Sequence, residues 1–421
     1  MIKTHRVRSF LRCIGCDEMY SAKEIKYNCD CGELLEVIHD FKSFKRSGKE
    51  WRQRFAQNLQ LPAFIRFKDI ILPDLPDDKV ITLYEGNTPL YRADAEMQRV
   101  FGIKNLYFKH EGMNPTLSFK DRGMVAGVSW AVFLAILAAI CSSTGDTAAS
   151  MAAYLARARM KGAVLLPEGN ISFEQLCQSI AYGVKVLCLQ TDFDGCMKLV
   201  QKLPMYLLNS KNPFRIEGQK LIAIETLCQL GWKVPDWFVL PVGNAGNIAA
   251  QGKGLREIYE LGVIDRLPRL AGIQSEKANP LYLSYKKGFA EFSPVIAQPT
   301  VASAIQIGNP VSAKKAIREV KYFEGVFEQV SDEEILDAKA IMDAAGISVC
   351  TNSATAVAGT IKLRGAGIIK ETDSVVIILT AHGAKFSKAI IDYHQNPAAK
   401  YANPPRILPP TLEAIKQALN L

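Results

Sequence analysis

Ser118-Phe119-Lys120-Asp121-Arg122-Gly123 and, one apolar run later, Ser142-Ser143-Thr144-Gly145-Asp146-Thr147 are the two pieces of sequence on which the fold turns. The first sets a lysine at the mouth of a helix. Acidic Asp121 suits a helix N-terminus, where unpaired N–H groups carry partial positive charge, so residues 121–131 are expected to be helical. Residues 124–141 carry no charge. That run approaches the shortest membrane span, but the lysine motif and the glycine turn flank it, and a buried helix feeding a buried strand is expected instead. The second piece crowds hydroxyls at the start of another helix. An N-cap uses one such side chain, so the surplus points to a cradle for a carboxylate or phosphate. A lysine on a stiff turn beside an anion cradle is what covalent catalysis requires, because only the neutral amine attacks a carbonyl.

Three further stretches supply polar groups. The strand over 238–241 runs into Val242-Gly243-Asn244-Ala245-Gly246-Asn247 and then a helix over 248–261. Glycines there let N–H groups turn inward at a helix start, which favours an anion. The loop is neither a Walker loop nor a dinucleotide fingerprint. Asn209-Ser210-Lys211-Asn212-Pro213-Phe214-Arg215 reads as a loop, in which Arg215 can fork onto a phosphate. A helix is expected after it over 219–230. Thr380-Ala381-His382-Gly383 ends an apolar strand, placing a hydroxyl at the strand tip; His382 reads as structural. The alternation of short apolar runs with helical patterns predicts a largely parallel α/β design.

At 421 residues and 46.5 kDa the chain exceeds one small core. Five segments are expected: 1–41, a zinc-ribbon-like module; 42–79, a helix and linker; 80–215, an N-terminal α/β domain carrying the lysine; 216–395, a C-terminal α/β domain carrying the glycine loop; and 396–421, a tail. Charge is +9 but scattered, which argues against nucleic acid and suits anionic small substrates. Ten cysteines without a secretory leader suggest a reducing compartment, the cytoplasm by default. Cys13-x2-Cys16 and Cys29-x-Cys31 have nearly the spacing of a zinc ribbon; a structural zinc and a module that has lost its metal both fit.

With Glu85-Gly-Asn-Thr-Pro-Leu90, Asp192-Phe-Asp-Gly-Cys196, Glu217-Gly-Gln-Lys220 and Ala304-Ile-Gln-Ile-Gly-Asn-Pro310 added, the chain resembles the threonine synthases over residues 84–394. These are pyridoxal-phosphate enzymes of fold type II. The resemblance implies two parallel-sheet α/β domains of the tryptophan synthase β-like kind, with the cofactor in the cleft between them. It makes Lys120 the Schiff-base lysine, with Gly243, Asn244, Ala245, Gly246 and Asn247 around the cofactor phosphate. Thr380 faces the ring nitrogen and Asp146 the ring hydroxyl. Ser143, Thr144 and Thr147 cradle the substrate O-phosphohomoserine, whose phosphate falls to Asn209, Ser210 and Arg215. The implied reaction yields L-threonine and phosphate, and a homodimer is expected.

Two departures stand out. Many members carry Asn where this chain has Asp146, although an Asp version is also familiar in the family; an ionised carboxylate facing a phenolate oxygen is repelled, so a shared proton or a contact displaced to backbone is expected. The link from Lys120 to Ser143 is also short, and residues 130–140 are unbroken apolar, so the helix must hand over abruptly to the strand. The rival readings are a threonine/serine dehydratase or phosphoserine β-replacement enzyme of the same fold, a catalytically silent amino-acid-binding module, and a nucleic-acid reader built on the cysteine module.

Overall fold

The computed structural model describes residues 7–143, 145–168, 173–191 and 193–421. At the N-terminus, β1 (Ser9–Cys13), β2 (Met19–Ser21) and β3 (Leu35–His39) form an antiparallel sheet in the order β2-β1-β3. A capped helix, Gly48–Ala56, follows and buries Trp51 and Phe55. Strands β4 (Leu90–Arg92) and β5 (Asn105–His110) come next, then β6 (Ala138–Ser142), β7 (Lys161–Pro167), β8 (Lys185–Leu189) and β9 (Tyr206–Leu207). The last four are β10 (Trp237–Pro241), β11 (Arg269–Ser275), β12 (Val326–Val330) and β13 (Ser374–Leu379).

These strands make two α/β layers. One sheet has the order β12-β11-β10-β13-β5-β4, with β4 alone antiparallel; the other is parallel, β8-β7-β6-β9. Near-continuous apolar strands such as Ser374–Leu379 suit a parallel sheet covered on both faces. The sheets correct the expected division at residue 215. Strands β4 and β5 precede the lysine yet pair beside β13, so part of segment 80–215 is built into the sheet of segment 216–395. Strand pairing follows apolar complementarity across space and need not follow chain order.

The lysine helix, Lys120–Phe133, is buried from Asp121 to Ala131. A helix apolar all round belongs inside. Its short link to β6 is closed by a left-handed Ala135 (φ 58°), with Ile136 N–H donating to Ala131 O at 2.9 Å and Ala135 N–H to Val132 O at 3.0 Å. This Schellman-type stop ends the helix within the apolar run without glycine, at a cost of about 1 kcal/mol for the left-handed alanine. The abrupt handover expected from the sequence is therefore made between Phe133 and Ala138. No helix among the described residues is long and apolar enough to cross a membrane.

Buried charges fix the start of the lysine helix. Arg122 bonds Glu111 at 2.7 Å and Glu225 at 2.8 Å, and Lys109 bonds Glu225 at 2.6 Å, all fully buried. Two cations face two carboxylates, so no charge is left unpaired in a medium where that would cost several kcal/mol. On the other side the helix touches a second one, Pro213–Gln219, backbone to backbone. A Cβ on Gly218 would lie 1.7 Å from Arg122 O.

The cysteine module docks through β3. Lys315 Nζ donates to Leu35 O at 2.7 Å, Arg318 pairs with Glu36 at 2.8 Å, and His39 Nε2 lies 2.8 Å from Glu217 Oε2. Residues past Asn396 run over the surface and include a helix with no buried residue, Leu412–Leu419.

Candidate active site

Lys120 opens its helix, its ammonium 4.0 Å above the Phe119 ring. The loop before it is stitched to the tip of β13: Phe119 N–H donates to Thr380 O at 2.8 Å, and His382 N–H donates to Leu117 O at 3.0 Å. The same loop is folded back on Asp121, whose carboxylate accepts from Thr116 N–H at 2.8 Å and Thr116 Oγ1 at 2.6 Å, and it is tied to the helix after β6 by Ser150 Oγ at 2.5 Å. Burial pushes Asp121 up to about 6. Burial also pulls Lys120 down to about 8, with the Arg215 cation adding to the effect and Asp146 opposing it. A lysine so placed holds a sizeable neutral fraction just above neutrality, the form a nucleophile or base needs.

The glycine loop has the shape of an anion cradle. Gly243 admits no side chain, because a Cβ there would lie 2.8 Å from Ile305 Cα. Ala245 is left-handed (φ 62°) and turns the chain into helix Gly246–Glu260. Among the described residues no carbonyl accepts from the N–H groups of Gly243 to Asn247. Beside them Asn247 Nδ2 and Ser312 Oγ are buried without partners. A helix start with free N–H groups and two idle polar side chains fits a phosphate. Asn244 is used differently: its carbonyl and Oδ1 accept from Ser312 N–H at 3.1 Å and Val311 N–H at 3.3 Å, fixing the segment that covers the loop.

Arg215 is buried, and its Nε has no partner. The segment expected to be loop is helical from Pro213, with Asn212 capping Phe214 N–H at 3.0 Å, so Arg215 projects from a rigid element. Helix 219–230 is likewise interrupted at Lys220. Asn209 also has a structural part. Its amide accepts from Ser142 N–H at 2.9 Å and donates to Ser142 O at 2.8 Å, holding the end of β6. Ser210 is half-buried beside it. Ser143 Oγ accepts from Gly145 N–H at 3.3 Å, Thr147 is half-buried, and Thr144 lies outside the described residues.

Thr380 Oγ1 meets Ser353 Oγ at 3.2 Å, and Ser353 Oγ meets Cys350 Sγ at 3.1 Å. Asp146 pairs with Lys385 at 2.6 Å. Sequence reasoning missed Ser353 and Lys385; neither has a motif of its own, and each reaches the site only through tertiary folding. His382 accepts from Ala384 N–H at 3.1 Å, as a structural histidine does.

Away from this cleft, the sulfurs of Cys13, Cys16, Cys29 and Cys31 all lie within 4.8 Å of one another, with Cys13–Cys31 at 3.4 Å and Cys16–Cys29 at 3.6 Å. A tetrahedral zinc bound at about 2.3 Å sets sulfur–sulfur edges of about 3.8 Å, so the donor set suits that ion.

The sequence profile of the pyridoxal-phosphate dependent enzymes matches residues 81–381. The chain is 43% identical over 409 residues to threonine synthase 2, chloroplastic, of Arabidopsis thaliana, covering 92% of this chain and 79% of that one. It is also 43% identical to the threonine synthase of Methanocaldococcus jannaschii, over 92% of this chain and 95% of its relative. The chain belongs to the threonine synthase family of pyridoxal-phosphate dependent enzymes. Solved structures agree on the fold. A fungal L-serine ammonia-lyase from Rhizomucor miehei superposes with a TM-score of 0.62 at 20% identity, covering 73% of this chain and 96% of its own. The processed form of threonine deaminase isoform 2 from Solanum lycopersicum gives 0.61 at 20% identity, covering 77% and 92%. As a family member the chain is thus a fold-type-II enzyme of two α/β lobes with an added cysteine module.

Proposed function

We propose that this protein is a threonine synthase, a lyase that converts O-phosphohomoserine and water to L-threonine and phosphate. The observation that carries this is 43% identity to threonine synthases across 92% of the chain. Lys120 is the lysine that carries pyridoxal phosphate. The N–H groups of Gly243 to Asn247, with Asn247 Nδ2 and Ser312 Oγ, would hold its phosphate, and Thr380 and Asp146 would meet its ring. When bound, the cofactor supplies an electron sink for the substrate α-carbon.

The chain's own groups do the rest. Lys120, held near 8 by burial and Arg215, takes and returns protons at the substrate carbons. Ser143, Thr144 and Thr147 seat the substrate carboxylate. Arg215, with Asn209 and Ser210, binds the substrate phosphate and stabilises the charge that grows on it as it leaves; Asn209 also holds the end of β6. Zinc closes the Cys13, Cys16, Cys29 and Cys31 site as a structural ion. The reading takes the chain to be a cytoplasmic homodimer that binds no nucleic acid.

The test is phosphate release from O-phosphohomoserine set against ammonia release from threonine. Phosphate release with threonine formation is expected. Ammonia release alone would make the chain a dehydratase. Lys120→Ala is expected to abolish turnover and the visible absorbance of the purified protein; a retained band would remove Lys120 from its role.

A further inference from the structure

Asp146 and Lys385 come from opposite lobes. Asp146 opens the helix after β6 in the four-stranded sheet, and Lys385 lies in the turn after β13 in the six-stranded one. Their side chains are 9% and 6% exposed, and they meet at 2.6 Å. Lys385 Nζ also donates to Thr116 O at 3.1 Å, in the loop that leads to Lys120. One ammonium therefore joins the hydroxyl turn, the lysine loop and the turn beyond Thr380. Both members are close enough to Lys120 to act on its proton, in opposite senses.

A carboxylate at position 146 needs a partner for its charge. On the reading above it faces the ring hydroxyl of the cofactor, whose ionised oxygen it would repel. Paired with Lys385 it becomes one half of a neutral unit, and the ammonium adds N–H donors. We propose that Lys385 is the positioning residue that makes Asp146 usable at the cofactor ring, by cancelling its charge and latching the two lobes around the lysine loop. This rests on the cofactor reading of the same site.

The test is a double-mutant cycle read by cofactor affinity. The full-length chain and the Lys385→Met, Asp146→Asn and doubly substituted variants are stripped and titrated with pyridoxal phosphate, followed by visible absorbance. Lys385→Met leaves a buried unpaired carboxylate, and affinity is expected to fall at least about tenfold. In the double variant the charge is gone, and affinity is expected to return to within about threefold of the unsubstituted chain. Thermal melting of each variant checks that it folds. Affinity unchanged in Lys385→Met, or a double variant as weak as Lys385→Met, would overturn the assignment; the latter is what a purely structural bond to Thr116 would give. Were the unsubstituted chain itself to take up no pyridoxal phosphate, the cofactor reading would fall first and take this proposal with it.

Discussion

Lys120 shows what a buried lysine costs the fold. Its ammonium is disfavoured by burial and by Arg215, leaving it at about 8 against an ordinary 10.5. In the unfolded chain the amine binds its proton up to the ordinary value, so between about 8 and 10.5 the unfolded state holds more protons. Stability from this group therefore rises with pH across that window, and below it the penalty is constant at about 3 kcal/mol. Lys120→Met is expected to raise the melting temperature of the cofactor-free chain at pH 7, with the gain shrinking as pH climbs through 8 toward 10.5. Differential scanning calorimetry at several pH values checks this, and a gain that does not vary with pH would contradict it. The same depression sets reactivity. The rate at which cofactor-free chain combines with pyridoxal phosphate should rise through about pH 8 and level off above it. Arg215→Met removes a neighbouring cation and should move that midpoint upward, as stopped-flow absorbance would show. It should also raise KM for the phosphorylated substrate by about tenfold or more, the loss expected of a charge-assisted hydrogen bond.

At the scale of elements, the geometry of the cleft depends on two helices in backbone contact. Gly218 lies over the Arg122 carbonyl, and Gly123 faces Arg215, where a Cβ would be 3.1 Å from the Arg215 carbonyl. Trp130 stacks on Phe214 at 4.6 Å along the same seam. Gly218→Ala would insert a methyl where main chain already stands, forcing apart the helices that carry Lys120 and Arg215. A loss of about 1–3 kcal/mol or more is expected, read as a lower denaturation midpoint together with reduced turnover. The arginine helix was legible in principle: Asn212-Pro213 is a cap followed by proline at the first helical position. Its polar composition suggested a loop instead. Helix existence was plain where apolar runs were long, as at 121–131, and obscure where a short helix is packed by glycine contacts from elsewhere.

Over the whole molecule, the cysteine module is bound to the lobes by β3. Against the penalty of burial, Arg318 and Lys253 draw Glu36 down to about 2. Its contribution is complete above the ordinary carboxylate range near 4.5 and is lost as pH falls toward 2. Hydrogen exchange in β3 is expected to accelerate across that acid window, and Arg318→Met should bring the acceleration to higher pH. On the zinc proposal, metal loss acts on the same module from its other end. Cys16→Ser with Cys29→Ser is expected to remove about one metal ion per chain and lower the melting temperature, with the visible cofactor band kept. Metal analysis beside the absorbance spectrum would show whether those two effects separate.

The linear order of residues was enough to determine the class of fold and to single out Lys120, the glycine loop and the four thiols. Each of these rests on local chemistry: a special backbone conformation, a run of free N–H groups, or closely spaced ligands. Tertiary structure alone decided that β4 and β5 sit beside β13, that Asn209 serves Ser142, that Ser353 reaches Thr380, and that Lys385 answers Asp146. Those pairings join residues 27 to 269 positions apart and depend on burial. A lysine carries the same letter whether it is solvated or forms half of a buried ion pair; only packing removes the water that would otherwise screen it.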